Sequence, residues 1–272
     1  MTIPRPCCRG GRGTLLLRLL IAGFLACGLV TAEAAAQSVR PVADTKSAVR
    51  KRPSTPPDAR GRAILAAANA SSGTRILVST EDRWLWLVEG RDTVLSVPVA
   101  VGMGKRFEFE GRRFWFETPR SQRKVLGKAE NPRWNVPEWH YLERAASRKY
   151  GVVEMDAKTK YELSDGSFLL TIGDQVGRLN QFGNFYAFEP GTEIMFDSLV
   201  FVPPKGTQQR LVPEALGPYK LDTGDGYLIH GTHIFNEDSI GEAVSHGCVR
   251  MRNEDLEKLY HRVPVGTAVY IF

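Results

Sequence analysis

YLIHGTHIFNEDSIGEAVSHGCVRMR, residues 227–252, holds three of the five histidines of this 272-residue chain, His230, His233 and His246. It also holds the only cysteine outside the N-terminal region, Cys248. His230 and Cys248 each sit in a short apolar segment, YLIH and CVRM, of the kind that forms strands. The loop between them is rich in Gly, Asn, Asp and Ser. Two neighbouring strands joined by that loop bring an imidazole beside a thiol. A thiol reacts as its thiolate, and a nearby imidazole is the usual means of generating one at neutral pH.

The surrounding residues complete that chemistry. Cys248 as nucleophile needs a base, a group to orient the base, and donors for a developing oxyanion. His230 is the candidate base, its other ring nitrogen held by a nearby carbonyl. Gly247 permits close backbone approach, which makes the N–H groups around Gly247 and Cys248 the expected oxyanion donors. Arg250 lies two residues beyond Cys248 and on its strand face, placed to grip a carboxylate with a two-pronged fork. His246 is expected on the same face. The reaction implied is acyl transfer through a thioester.

Outward from this stretch the chain reads as β-rich. Residues 75–80 and 84–88 are two strands joined by Glu81-Asp82-Arg83, and 93–101 is a third. Trp84 and Trp86 share a strand face and are expected in the core. Residues 111–116 form a short strand, while 131–137 (NPRWNVP) contain two prolines and exclude a helix interior. Residues 138–150 have helical composition. From 152 to 210, short apolar runs alternate with Gly, Pro and Asn turns. Asn253 is expected to cap a helix over 254–262, with Glu254 and Asp255 favourably placed in its first turn. Residues 263–272 read as a final strand.

The N-terminus reads differently. Arg5, Arg9 and Arg12 precede an apolar run over 15–30 broken only by Arg18, and residues 31–37 read TAEAAAQ. This is the pattern of a secretory signal peptide over residues 1–36, cleaved after Ala36. An uncleaved anchor is the rival, but the run is short for a membrane span and carries an internal arginine. Lipidation at Cys27 fits the preceding Phe24-Leu25-Ala26 poorly. Cleavage removes Cys7, Cys8 and Cys27 and leaves Cys248 alone, so no internal disulfide framework is available. The formal net charge of +6 falls to about +3, with no dense basic stripe, which excludes a nucleic-acid footprint. Residues 37–60 are rich in Pro, Arg, Ser and Ala and read as a disordered linker, followed by a short Ala-rich helix over 58–70, so that 37–73 precede the main domain.

Residues 227–252 resemble the L,D-transpeptidase (YkuD/ErfK) catalytic-domain family, whose signature matches His230-Gly231-Thr232 and Ser245-His246-Gly247-Cys248-Val249-Arg250. The resemblance extends to 216–221 (LGPYKL), to 226–229 (GYLI) and more faintly to NPRWNVP, covering residues 74–272. It implies a mainly β fold, a sandwich or barrel with a few short helices, carrying a long insertion at about 138–215 before the catalytic motif. It implies Cys248 as nucleophile, His230 as proton acceptor and donor, and the Gly231 carbonyl as orienter of the imidazole. His246, Gly247, Arg250, Thr232, Ser245 and Tyr227 would form the substrate and oxyanion site. The implied substrate is a peptidoglycan stem tetrapeptide, attacked between its diamino acid and terminal D-Ala. The acyl group would pass to an amine of a second stem or of an envelope protein. Water in that role would make the same site an L,D-carboxypeptidase or a hydrolase that detaches envelope proteins. The resemblance also implies an exported, periplasmic or envelope protein that needs no metal or cofactor, with Cys248 acylated by carbapenems.

Two departures from the family pattern stand out. The usual Thr-Pro-x-Gly turn appears as Thr118-Pro119-Arg120-Ser121, and the segment between Pro137 and Leu216 is longer than the family core requires. Two other classes compete with the enzyme reading. His230, His233, His246 and Cys248 are all legitimate zinc ligands, although His246-Gly247-Cys248 is cramped for two ligands of one ion. A tethered, non-catalytic peptidoglycan-binding module is the other. His140, His233 and His261 carry no signal for chemistry.

Overall fold

The computed structural model describes residues 51–56 and 58–272. The expected signal peptide, its three cysteines and most of the expected linker lie outside the described residues. Two sheets share the main core. The first runs in the order Asp92–Pro98, Trp84–Glu89, Arg75–Ser79, Ala268–Ile271, Ser121–Lys124. The second runs Val249–Arg250, Leu228–His230, Tyr219–Asp222, Gly127–Glu130. A single bridge from Arg250 to Ala100 extends the edge of the second sheet, and the described strands close no barrel.

Strand alternation explains the packing. In Arg75–Ser79 every residue is buried because both faces of this central strand are covered. Ile76 and Val78 face the second sheet, joining Leu221, Ile229, Val249 and Met251 in one apolar cluster. Leu77 points the other way, to Trp86, Phe272, Ile64 and Ala68. The last two lie on helix α1 (Ala59–Ala70), capped by Asp58 through a 2.6 Å bond from Gly61 N–H. Trp86 stacks on Phe272 and Trp84 donates to Ser96, in keeping with the core role expected of both. Lys51 and Ser54, within the stretch read as a linker, bond to Trp86 and Asp82 through the Lys51 carbonyl and the Ser54 N–H and hydroxyl.

Residues between 138 and 212 build a separate layer. Helix α2 (Glu138–Arg148) buries Tyr141, Leu142 and Ala145, and Tyr141 and Ala145 pack with Val200 and Val202. It ends at Lys149, which takes the left-handed conformation (φ 59°) and returns its N–H to the helix. Beyond it stand a three-stranded sheet (Gly151–Glu154, Leu199–Val202, Ile194–Phe196) and a four-stranded one (Tyr161–Glu162, Phe168–Ile172, Gln175–Leu179, Phe185–Ala187). They enclose a second core around Leu169, Val176, Ile194 and Phe201. Two short strands, Trp134–Asn135 and Leu211–Val212, pair where this layer leaves and rejoins the chain.

Helix α3 (Asn253–Arg262) sets Leu256 and Leu259 into the main core. Its cap corrects the sequence reading. Arg252 occupies the cap position without a side-chain bond, and Asn253 is the first helical residue. The Asn253 amide instead bonds the backbone of Thr232.

Candidate active site

His230 and Cys248 come together through a parallel pair. Leu228–His230 pairs with Val249–Arg250, Ile229 opposite Val249 and His230 opposite Arg250. Parallel neighbours need a crossover between them. The crossover here contains a 3₁₀ segment, Ile234–Ser239, and the strand Ala243–Ser245, which joins Val101–Gly102. Cys248 directly precedes its strand, next to Val249, which pairs with Ile229.

The His230 ring is buried, with Nδ1 2.6 Å from the Gly231 carbonyl. A carbonyl only accepts, so Nδ1 carries the proton and Nε2 is the basic nitrogen. Burial first, then the Arg250 cation, pull the imidazole pKa down to about 4, against a small opposing effect of the Gly231 carbonyl. Burial likewise pushes the Cys248 thiol up, the Leu228 backbone and Arg250 partly countering it. The resting pair is therefore neutral imidazole and neutral thiol. Cys248 Sγ lies 3.9 Å from the Gly226 carbonyl, and among the described residues no hydrogen bond joins it to the His230 ring.

The turn before Cys248 is locked from within. Ser245 Oγ donates to the Cys248 carbonyl at 2.6 Å and accepts from Gly247 N–H at 3.1 Å. Gly247 N–H is thus occupied, which leaves Cys248 as the one of the two expected oxyanion donors. Gly247 has φ +132°, and a Cβ there would come within 2.9 Å of the Tyr227 ring and 3.0 Å of the Glu117 carbonyl. Tyr227 therefore packs close against the turn, and the Arg123 guanidinium lies 4.8 Å from its ring centroid. Thr118, in the atypical TPRS turn, accepts from Gly102 N–H and donates to the Gly247 carbonyl, both at 2.8 Å. The missing family glycine leaves this threonine's work intact.

Gly231 and Thr232 are held by a residue the sequence reading misassigned. Asn253 accepts from Thr232 N–H and donates to the Thr232 carbonyl, both at 2.9 Å. A Cβ on Gly231 would lie 2.2 Å from Asn253 Oδ1. The clamp fixes the carbonyl that orients His230, and only the folded chain brings the two segments together.

Arg250 spends one arm of its fork on Ser239 Oγ at 3.0 Å. His246 departs from expectation. The turn at Gly247 interrupts strand alternation, so His246 does not share a strand face with Cys248. Its ring stacks on Trp139 at 3.9 Å and meets Phe116 edge-on at 4.5 Å. Its Nε2 lies 2.9 Å from Glu143 Oε2. Trp139 and Glu143 belong to α2, and no spacing in the sequence signals either of them. His233 caps the 3₁₀ segment through its ring.

Comparison with known proteins follows this geometry. Residues 73–271 match the YkuD family model, described as "L,D-transpeptidase catalytic domain". The chain is 54% identical over 54 residues to "Probable L,D-transpeptidase YbiS" of Escherichia coli (strain K12), an alignment covering 20% of this chain and 17% of that protein. It is 46% identical over 56 residues to "Probable L,D-transpeptidase ErfK/SrfK" of Salmonella typhimurium, covering 21% and 18%. These alignments span about a fifth of either relative's length. Among solved structures, the L,D-transpeptidase (residues 123–326) of Xylanimonas cellulosilytica is 17% identical with a TM-score of 0.38, covering 78% of this chain and 68% of that one.

Proposed function

Because the chain belongs to the YkuD family of L,D-transpeptidase catalytic domains, we propose that it is a peptidoglycan L,D-transpeptidase with Cys248 as nucleophile. In this reading Cys248 Sγ attacks the carbonyl between the diamino acid and terminal D-Ala of a stem tetrapeptide. A C–S bond forms and the C–N bond breaks. The thiol proton passes to His230 Nε2 and from there to the leaving D-Ala amine. In the second half an acceptor amine attacks the thioester, C–N forms, C–S breaks, and His230 returns the amine's proton to sulfur.

The observation that carries this reading is the parallel pairing of Leu228–His230 with Val249–Arg250, with Nδ1 committed to the Gly231 carbonyl. It leaves one basic nitrogen on the strand beside the thiol. In this reading the thiol meets Nε2 when substrate enters, since catalytic hydrogen bonds often tighten only in the loaded site. The Cys248 N–H and the Arg250 cation are positioned to stabilise the oxyanion. Tyr227, Ser245 and Gly247 hold the turn, and Thr232 holds the histidine loop.

The finer parts of the proposal follow from the family. Residues 138–215 are an insertion in a YkuD-type sandwich spanning 74–272. The protein is exported by a cleaved leader and works in the envelope on stem peptides, with a second stem or an anchored protein as acceptor.

The test is a carbapenem challenge followed by intact mass measurement. One covalent adduct is expected on the wild-type protein and none on Cys248→Ala, which should also release no D-Ala from a tetrapeptide. An unmodified wild-type protein would instead favour a binding module, and an adduct that survives Cys248→Ala would move the nucleophile elsewhere.

A further inference from the structure

We infer that the cleft between α2 and the His246 turn is the acceptor subsite, and that Glu143 there receives the primary ammonium of the incoming amine. This rests on the transpeptidase reading and adds what that reading leaves open, the place where the second substrate binds. The cleft has a volume of about 470 Å³ and is lined by His140, Glu143, Arg144, Ser147 and His246. His246 lies two residues before Cys248, so one wall of the cleft is continuous with the nucleophile's own turn.

Charge pairing selects Glu143. Three basic groups of α2 converge on a single other carboxylate: Arg144 at 2.6 Å, His140 at 3.4 Å and Arg148 at 3.9 Å from Glu193. Among the described residues Glu143 is bonded only to His246, at 2.9 Å. Burial against Trp139 and Phe116 holds the His246 imidazole below its ordinary pKa despite Glu143, which keeps that partner largely neutral at pH 7. Glu143 is thus a half-buried carboxylate that, among the described residues, no lysine or arginine pairs. A ligand ammonium supplies the missing charge with a strong, charge-assisted hydrogen bond and gives one proton to the carboxylate, which later releases it to solvent, so that the neutral amine attacks the thioester. Water has no such need. The subsite therefore favours transfer over hydrolysis.

The test uses the full-length exported protein, a soluble stem tetrapeptide as donor, and a second stem peptide with a free side-chain amine as acceptor. Wild type, Glu143→Gln and Glu143→Asp are each acylated first, then mixed with rising acceptor concentrations. Cross-linked and hydrolysed products are quantified from the same acyl-enzyme. Glu143→Gln keeps an acceptor for the His246 N–H but lacks the charge. It should lower the cross-linked to hydrolysed ratio about tenfold or more, through a raised acceptor KM, and Glu143→Asp should restore part of it.

A ratio within twofold of wild type in Glu143→Gln would overturn the inference. So would equal losses of transfer and hydrolysis, which would make Glu143 only a positioning residue for His246. If the wild-type protein forms no thioester and releases no D-Ala before any acceptor is added, the transpeptidase reading fails and this inference falls with it. That outcome is distinguishable because it precedes the acceptor step.

Discussion

His230 and His246 bound the same loop, yet they are held by opposite means. His230 sits on a buried strand, its ring fixed by its neighbour's carbonyl and that carbonyl's loop fixed by Asn253. His246 is held by side chains from far along the chain, Trp139, Glu143 and Phe116. Backbone-held geometry is rigid because it depends on strand register and tight glycine contacts. Side-chain-held geometry is adjustable, since α2 and its layer can change without disturbing the strands under Cys248. The first arrangement suits the step every substrate shares, and the second suits the choice of substrate.

The contrast can be broken most sharply at His230. His230→Ala removes the proposed base and should lower kcat for D-Ala release by about 10²–10⁴-fold. Thermal melting of the same variant would check that the fold survives. A loss below tenfold would assign the base elsewhere, with His246 the first candidate.

Acid stability gives the next effect. The folded imidazole titrates at about 4, below the ordinary histidine value of about 6.5. The unfolded chain therefore binds its proton first as pH falls. Stability from a neutral His230 is fully present above about pH 6.5 and is lost progressively as pH drops through 4, by about 3 kcal/mol. Urea denaturation at pH 7 and pH 4 should show this slope in the wild type. His230→Gln, which cannot titrate, should flatten it by that amount relative to wild type. A slope unchanged in the variant would mean the ring is more hydrated than its burial implies.

The smallest expected change sharpens the role of the clamp. Asn253→Ala removes two hydrogen bonds to the Thr232 backbone and opens space beside Gly231. It should cost about 1–3 kcal/mol of stability and lower kcat while leaving KM for the donor near its wild-type value. If Asn253 served merely as a helix cap, Asn253→Ser would restore both quantities. The clamp predicts that serine fails, because its hydroxyl is too short to span both Thr232 groups.

Much of this was legible in the residues. The strands at 75–79, 84–89 and 268–271, the helix at 138–148 and the helix after Arg252 follow from local alternation, composition and breakers. The neighbouring strands that carry His230 and lead away from Cys248 were legible too, in the apolar segments YLIH and CVRM. Three readings failed for one reason. Asn253 was assigned to its own helix, His246 to a strand face, and Gly247 N–H to an oxyanion. In each, a contact made across the chain outweighed the local preference: Thr232 took the asparagine, α2 took the histidine and Ser245 took the amide.

The amino-acid sequence by itself determined the β-rich class, the thiol and imidazole, and the family signature of residues 227–252. These depend on side-chain chemistry and short-range periodicity, which need no partner to be read. Only the tertiary structure decided that the two strands run parallel, that Thr118 and Asn253 fasten the two halves of the site, and that α2 sets Glu143 and Trp139 beside His246. Those contacts join residues separated by long stretches of chain, and they exist only once burial of the two cores has brought the stretches together.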